Sequence, residues 1–455
     1  MPRVPRPRRS RRPVRWLATA ALLALVAGLV GTGAETAASG RTAAAGNVVT
    51  PGNFTGYGFD QCTAPSQNAM DAWLTGSPFW AVGIYISGDS RGCTSQPNLT
   101  PTWVSTQLAN GWRLLPITLG PQAWCTTRTR YLHQVRINPS PTSSYAAARA
   151  QGRAEAVKTR GVAQGLGIAP GSTLWYDLEA FDTSKTDCRE SALSFLSAWT
   201  NKLHSLGYRS GAYSSAASGI RMLDSARAIR PGRYAMPDQL WIADWNGRAD
   251  VNTSYIPATG WMPHRRVHQY RGGHNEKHGG VTINIDSDWV DLGNGSTIAS
   301  EPRHCHGAAT YNSGSYGSLK IGSTGSLVKT LQCQLAVRGL YKATIDGGYD
   351  AGVGSAVARW RARRGLPAGT TMSPSSWMVM LSQGAAPLMK YGAASTAVRR
   401  LQRTLNAADR ANLPVTGVFE GRTTTAVKAY QKDHSLAATG VVTTGMWQLL
   451  QRGVR

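Results

Sequence analysis

Asp177 and Glu179 stand two residues apart in the run LWYDLEAFD, residues 174–182. On a β-strand, side chains two apart share a face. Paired acids at a strand end can divide their work: one, partly desolvated, holds a proton, while the other stays charged or acts as nucleophile. Leu178, Ala180 and Phe181 surround Glu179 with apolar neighbours. This pattern predicts a protonated general acid at Glu179 and an ionised partner at Asp177. Two solvated surface acids are the plainer reading of an isolated pair, so the rest of the chain has to decide.

The elements that would hold such a pair alternate. Strand-like runs occur at 56–60, 80–88, 112–120, 173–180, 208–215, 239–245, 266–272 and 282–289. Helix-like stretches lie between several of them. Residues 146–165 have high helix propensity, and Leu193, Leu196, Trp199, Leu203 and Leu206 recur at three- and four-residue steps. Strand–helix alternation predicts a parallel sheet, and eight strands predict a closed (β/α)8 TIM-type barrel; a doubly wound open sheet is the alternative. No GxGxxG follows a strand, which leaves a dinucleotide without support. No CxxC occurs, which argues against a zinc site or a redox pair. No cofactor and no metal are expected.

Chemistry in such barrels sits at the C-terminal strand ends. Those ends supply Asp60, Asp177, Glu179, Asp244, Asp286 and Asp288. Tyr57, Tyr176, Trp241 and Tyr270 cluster with them, and the HQY run adds Gln269. Acids beside flat aromatic faces suit the holding and cutting of sugars. Asp60, Asp177, Glu179 and Asp286 are the catalytic candidates. Tyr57, Tyr176, Trp241, Asp244, Gln269, Tyr270 and Asp288 are the substrate-binding candidates.

The runs GFDQCTAPS, PFWAVGIYISG, GWRLLPITLGPQAWC, LWYDLEAFD, LWIADW and HQY occur in this order. They resemble the actinobacterial glycoside-hydrolase-like domain formerly classed as of unknown function. A more distant resemblance is to the family-25 glycoside hydrolases, muramidases with a DxE on strand four of a barrel. It implies that Glu179 is the general acid, that Asp177 stabilises an N-acetyl-assisted intermediate, and that Asp60 and Asp286 flank the cleft. The closing run NIDSDWVD departs from the Asp-x-Asn usual there, so Asp286 and Asp288 compete for one role. The segment 126–144 and four of the cysteines are foreign to that family.

The C-terminal third repeats itself at an offset of 70 residues. Val328, Leu331, Gln332, Leu335, Gly347, Trp360 and Trp377 recur as Val398, Leu401, Gln402, Leu405, Gly417, Tyr430 and Trp447. Each copy reads as three short helices. The pattern resembles the peptidoglycan-binding domain with a three-helix core, and the second copy is nearer that domain's usual form.

Residues 3–15 hold seven arginines and no acid, and an uncharged apolar run (16–30) and small residues follow. That order reads as a secretory signal peptide. The apolar run is short for a spanning helix, although an uncleaved anchor is the alternative. Arg11-Arg12 leaves Sec and twin-arginine export both open. The chain's net charge is +25, and residues 300–455 hold 19 Lys/Arg against six Asp/Glu. Such a tail favours a polyanion; export points to wall polymer and away from nucleic acid. Six cysteines in an exported chain predict three disulfides. Cys305 and Cys333, far from the others, are expected to pair, while Cys62, Cys93, Cys125 and Cys188 can pair in more than one way.

The expected organisation is a signal peptide (1–34), a flexible leader (35–52), a barrel (53–292), a linker (293–318) and two repeats (319–384 and 385–455). The expected protein is a secreted, monomeric wall hydrolase that binds peptidoglycan or another wall polysaccharide, with no membrane span once the signal is cleaved. A non-catalytic wall-binding protein and a hydrolase of another polysaccharide are the alternatives.

Overall fold

The structure, a computed structural model, describes residues 46–455 except 294, 302 and 410. The expected signal peptide and most of the leader lie outside the described residues. Eight strands close into a barrel in sequence order: β1 (Thr55–Asp60), β2 (Ala81–Ser87), β3 (Arg113–Thr118), β4 (Thr173–Asp177), β5 (Arg209–Ser215), β6 (Gln239–Ala243), β7 (Arg265–His278) and β8 (Val281–Leu292).

Helices α1 (Gln67–Gly76), α2 (Pro101–Ala109), α3 (Thr129–Leu132), α4 (Thr142–Gly165), α5 (Thr186–Ser205) and α6 (Arg221–Ile229) connect the first six strands. The starts of α1 and α2 are encoded locally. Ser66 accepts a hydrogen bond from the Ala69 amide at the head of α1, and Thr100 does the same for Trp103 at α2, where Pro101 occupies the first turn. Leu193, Leu196, Trp199 and Leu203 on α5 are buried as expected, and Leu206, just past its end, is half-buried.

The barrel departs from eight equal β/α units. Pairing is parallel from β1 through β7. β8 is antiparallel to both β7 and β1. The turn at Gly279 and Gly280, both at positive φ, folds β7 and β8 into a long hairpin, so no helix separates them.

Alternation sorts the strand residues onto two faces. Outward residues such as Phe59 and Tyr176 pack under the helices, whereas Leu115, Ile117, Trp175, Trp241, Val267 and Val290 fill the barrel. Glycine makes room for these large rings. A Cβ at Gly211 would overlap the Trp175 indole, and one at Gly83 would overlap Asp60 and Trp241. Residues 46–52, expected to be leader, instead pack on the barrel: Thr50 bonds Leu114 O and the Ser172 hydroxyl.

Six helices follow: α7 (Ser326–Val337), α8 (Ala351–Arg363), α9 (Pro374–Ser382), α10 (Thr396–Asp409), α11 (Gly421–Asp433) and α12 (Thr444–Gln451). The 70-residue repeat is visible in space. Bridges Leu319↔Met372 and Thr324↔Gly348 recur as Met389↔Val442 and Ala394↔Val418. Gln332 accepts from the Gly347 amide, and Gln402 from that of Gly417. Both units share one apolar core, from Tyr316 to Leu450.

The expected linker is packed over part of its length. Cys305 is bonded to Cys333 on α7, with Cα atoms 5.9 Å apart, and Tyr316 is buried against Trp377. The second repeat also docks on the barrel. Lys390 Nζ donates to Leu74 O (2.7 Å), Ser77 O (3.2 Å) and Phe79 O (2.7 Å). Tyr391 packs edge-on against Tyr57 and Trp289.

Candidate active site

One rim of the barrel brings five carboxyls together. Asp60 and Asp177 come from C-terminal strand ends and Glu179 from the loop after β4, whereas Asp286 and Asp288, contrary to the expected strand-end placement, come from the interior of the antiparallel β8. Asp60 ends β1, and the antiparallel register sets Asp288 of β8 opposite Gly58 and Asp286 opposite Asp60. β4 ends at Asp177, so Glu179 sits in the loop beyond it rather than on the strand. Gln122, in the loop after β3, positions that loop: its Nε2 donates to Asp177 O (2.8 Å), and its Oε1 accepts from the Glu179 amide (2.8 Å).

Asp60, Asp177 and Asp288 are 3%, 1% and 0% exposed. Gln269 Nε2 donates to Asp60 Oδ2 at 2.8 Å. Its Oε1 in turn accepts from Tyr213 Oη and Trp245 Nε1, both at 3.0 Å. Trp241 Nε1 donates to Asp288 Oδ1 at 2.8 Å. The other Asp288 oxygen finds no donor apart from the Asp60 carboxyl. Two carboxyl groups can hydrogen-bond only by sharing a proton. Tyr85 Oη lies 3.3 Å from Asp177 Oδ2.

Burial dominates the electrostatics, because desolvation disfavours the ionised form. It pushes Asp60 up to about 8, with the charge of Asp286 adding to the effect and the Gln269 and Asp288 hydrogen bonds opposing it. Burial, then the charges of Glu179 and Asp60, hold Asp177 well above the ordinary carboxyl range. Burial and then Asp60 do the same to Asp288. Asp286 is pushed up to about 6, chiefly by burial, with His274 opposing. Glu179 has different surroundings. Its Oε2 pairs with Arg128 Nη2 at 3.1 Å, its Oε1 lies 3.4 Å from Tyr131 Oη, and its side chain is 19% exposed. The structure thus places the proton-retaining environment at Asp177 and an ion pair at Glu179, the reverse of the division expected from the sequence. The reason is local: the strand carries Asp177 into the barrel, while the loop carries Glu179 to Arg128.

The other candidates divide. Gln269 lies at the centre. Trp241 is buried beneath, packed on Trp175 at 5.5 Å, and supports Asp288 rather than offering a face to a ligand. Asp244 organises its own loop, accepting from Thr253 Oγ1 at 2.8 Å. Tyr57 and Tyr176 lie one residue out of phase with the acids and face outward. Tyr57 packs on Trp289 and Phe79, and Tyr176 on Phe195 and Trp199. Tyr270 follows Gln269 on the outer side, near Ser287 and Tyr57. The exposed aromatic next to the acids is Trp245, 67% exposed.

Sequence reading missed Tyr85, Gln122, Arg128, Tyr131 and Tyr213. The strand-end rule, applied to polar neutral residues as well as acids, would have found Tyr85 and Tyr213, whereas Gln122 lies in the loop beyond β3. Two disulfides brace this rim. Cys62–Cys93 ties the loops after β1 and β2, and Cys125–Cys188 ties the loop after β3 to the first turn of α5. Among the described residues, no group of His, Cys, Asp and Glu is arranged to hold a metal, and no helix is long and apolar enough to cross a membrane.

The barrel and its acids define a glycoside-hydrolase-like domain joined to a peptidoglycan-binding domain. Residues 71–290 match the family described as "Rv2525c-like, glycoside hydrolase-like domain", and residues 394–450 match "Putative peptidoglycan binding domain". No curated protein matches the chain. Among solved structures, an uncharacterized B. stearothermophilus protein is similar at 18% identity, over 52% of this chain and 95% of that one, with a TM-score of 0.31. The Mycobacterium tuberculosis Tat-secreted protein Rv2525c, in complex with HEPES, is 12% identical over 52% and 96%, with a TM-score of 0.33. A family 25 glycosyl hydrolase from Bacillus anthracis is 12% identical over 55% and 94%, with a TM-score of 0.30.

Proposed function

We propose that this protein is a secreted, monomeric cell-wall glycoside hydrolase of actinobacterial type, muramidase-like, that acts on peptidoglycan glycan strands. The observation that carries this reading is the carboxyl cluster Asp60, Asp177, Glu179, Asp286 and Asp288 at one barrel end, in a chain that also carries a peptidoglycan-binding domain. Both 70-residue units act as wall-binding modules, on either side of a boundary near residue 385. Residues 1–34 are the export signal, 53–292 the hydrolase domain, and nucleic acid is not a ligand.

In this reading Asp177 and Glu179 work as one coupled pair. Glu179, the more exposed member, protonates the leaving glycosidic oxygen. Asp177 passes its proton to Glu179 and becomes the anion beside the sugar's acetamido-assisted centre. Asp60, Asp286 and Asp288 line the cleft, and Trp245 gives the sugar a flat face.

A non-catalytic wall-binding protein is the second reading. The Arg128–Glu179 ion pair favours it, because it engages the carboxylate that would have to donate. Incubating the mature protein with purified peptidoglycan, and assaying new reducing ends against Glu179→Gln, separates the two. Release by the parent alone supports hydrolysis; release by neither supports binding.

A further inference from the structure

The two repeats meet across a cavity of about 420 Å³, lined by residues of both. Arg338 at the end of α7 and Met380 and Leu381 of α9 come from the first unit; Pro387 and Arg400 and Arg403 of α10 come from the second. The three arginines are not part of the repeated pattern. Seventy residues away, their counterparts are Ala408, Thr330 and Cys333. A three-helix unit therefore forms without them, and they occur only where the units face each other.

Main-chain carbonyls hold two of these guanidinium groups in place. Arg338 donates to Gln334 O (2.7 Å) and Met380 O (3.2 Å). Arg400 donates to Gln383 O (2.9 Å) and to Ala385 O, and lies 4.5 Å over the Trp447 ring. Carbonyl bonds orient a guanidinium but leave its charge in place. Arg403 is neutralised by Glu301. Among the described residues, no carboxylate pairs with Arg338 or Arg400, and the buried Nε of Arg400 has no acceptor. The cavity thus holds two fixed, unneutralised forks beside an apolar wall.

We infer that this seam is a binding site for a short aliphatic peptide that ends in a free carboxylate, the chemistry of a peptidoglycan stem peptide. The inference rests on the wall reading above and extends it from glycan to peptide. A guanidinium fork matches a carboxylate in a bidentate manner, and Met380, Leu381 and Pro387 suit the aliphatic body. A cavity of this size falls in the range that holds small ligands. A phosphate of an anionic wall polymer would satisfy the charge and leave the apolar wall unused.

The test is calorimetric titration of the full chain with a soluble stem tetrapeptide, the same peptide amidated at its carboxyls, and inorganic phosphate. The free acid is expected to bind saturably, and the amidated peptide at least about tenfold more weakly, as for loss of charge-assisted bonds. Arg338→Gln combined with Arg400→Gln should weaken binding by about tenfold or more. Thr396→Tyr fills the exposed mouth while leaving every arginine in the sequence, and should do the same in a protein of unchanged thermal stability. Equal affinity for both peptides, affinity in both variants equal to the parent's, or competition by phosphate as strong as by peptide would overturn the proposal. So would a parent that binds no peptide yet still sediments with insoluble wall. A parent that fails to sediment with wall defeats the broader wall reading instead.

Discussion

Glu179 Oε2 and Arg128 Nη2 lie 3.1 Å apart, and Arg128 comes from the segment between β3 and α3. With Arg128 half exposed, such a pair contributes at most about 1 kcal/mol. Arg128→Gln should therefore leave the thermal midpoint nearly unchanged. A large loss would mean that the arginine props the loop rather than pairing with Glu179.

The catalytic assignment makes a sharper demand. A general acid contributes roughly 10²–10⁴-fold. Glu179→Gln should lower reducing-end release by about that factor, and Asp177→Asn by a comparable one, while both variants still sediment with wall. Turnover by Glu179→Gln at the parent's rate would refute the assignment.

Asp60 offers a test that is independent of activity. Its folded pKa, near 8, exceeds the ordinary 3.8. Between those values the folded protein holds a proton that the unfolded chain releases, so this stabilisation is complete in acid and is lost as pH rises toward 8. Asn mimics the protonated acid toward Gln269 and Asp288. Denaturant unfolding at pH 5 and pH 8 should show the parent losing stability relative to Asp60→Asn, by up to ~1.4 kcal/mol per pH unit. Parallel curves would place the proton elsewhere.

Much of this site was legible because strand ends are encoded by alternation. Asp60 and Asp177 follow from that rule, as does the closed barrel, whereas Asp288 reaches the same rim from the interior of the antiparallel β8. Tyr57 and Tyr176 were misplaced for a simple reason: they sit three residues before Asp60 and one before Asp177, and a strand turns residues at odd spacings to opposite faces. The protonation pattern was not legible, since it depends on where β4 stops and on Arg128, forty-nine positions before Asp177. Docking of the second repeat was equally hidden. Lys390 and Tyr391 look like surface residues of a small helical unit until the barrel covers them.

The Cys125–Cys188 bridge anchors the loop that supplies Gln122, Arg128 and Tyr131. Replacing both cysteines by serine should cost about 2–5 kcal/mol. It should also impair the site more than the equivalent change at Cys305–Cys333, which braces the first repeat. Equal losses of activity at matched stability would show that the loop holds its shape unaided.

Lys390 makes the tail's independence testable. Its ammonium is buried, donates to three carbonyls around the end of α1, and lies 5.2 Å from the Trp112 ring and 5.7 Å from that of Trp80. Burial pushes its pKa well down, yet three acceptors match the three donors of the charged form. Lys390→Met keeps the aliphatic stem and strands the carbonyls, at about 1–3 kcal/mol for each left unpaired. Calorimetry should then resolve separate barrel and tail transitions where the parent shows one. A fragment from residue 300 onward retains both repeats and the Cys305–Cys333 bridge, but exposes Lys390 and Tyr391. It should fold with lower stability than in the full chain and still sediment with insoluble wall at moderate salt. Binding confined to low salt would reduce the tail's contribution to its net charge, since screening shortens to about 8 Å at physiological ionic strength. A fragment that folds yet never sediments would leave wall recognition to the barrel.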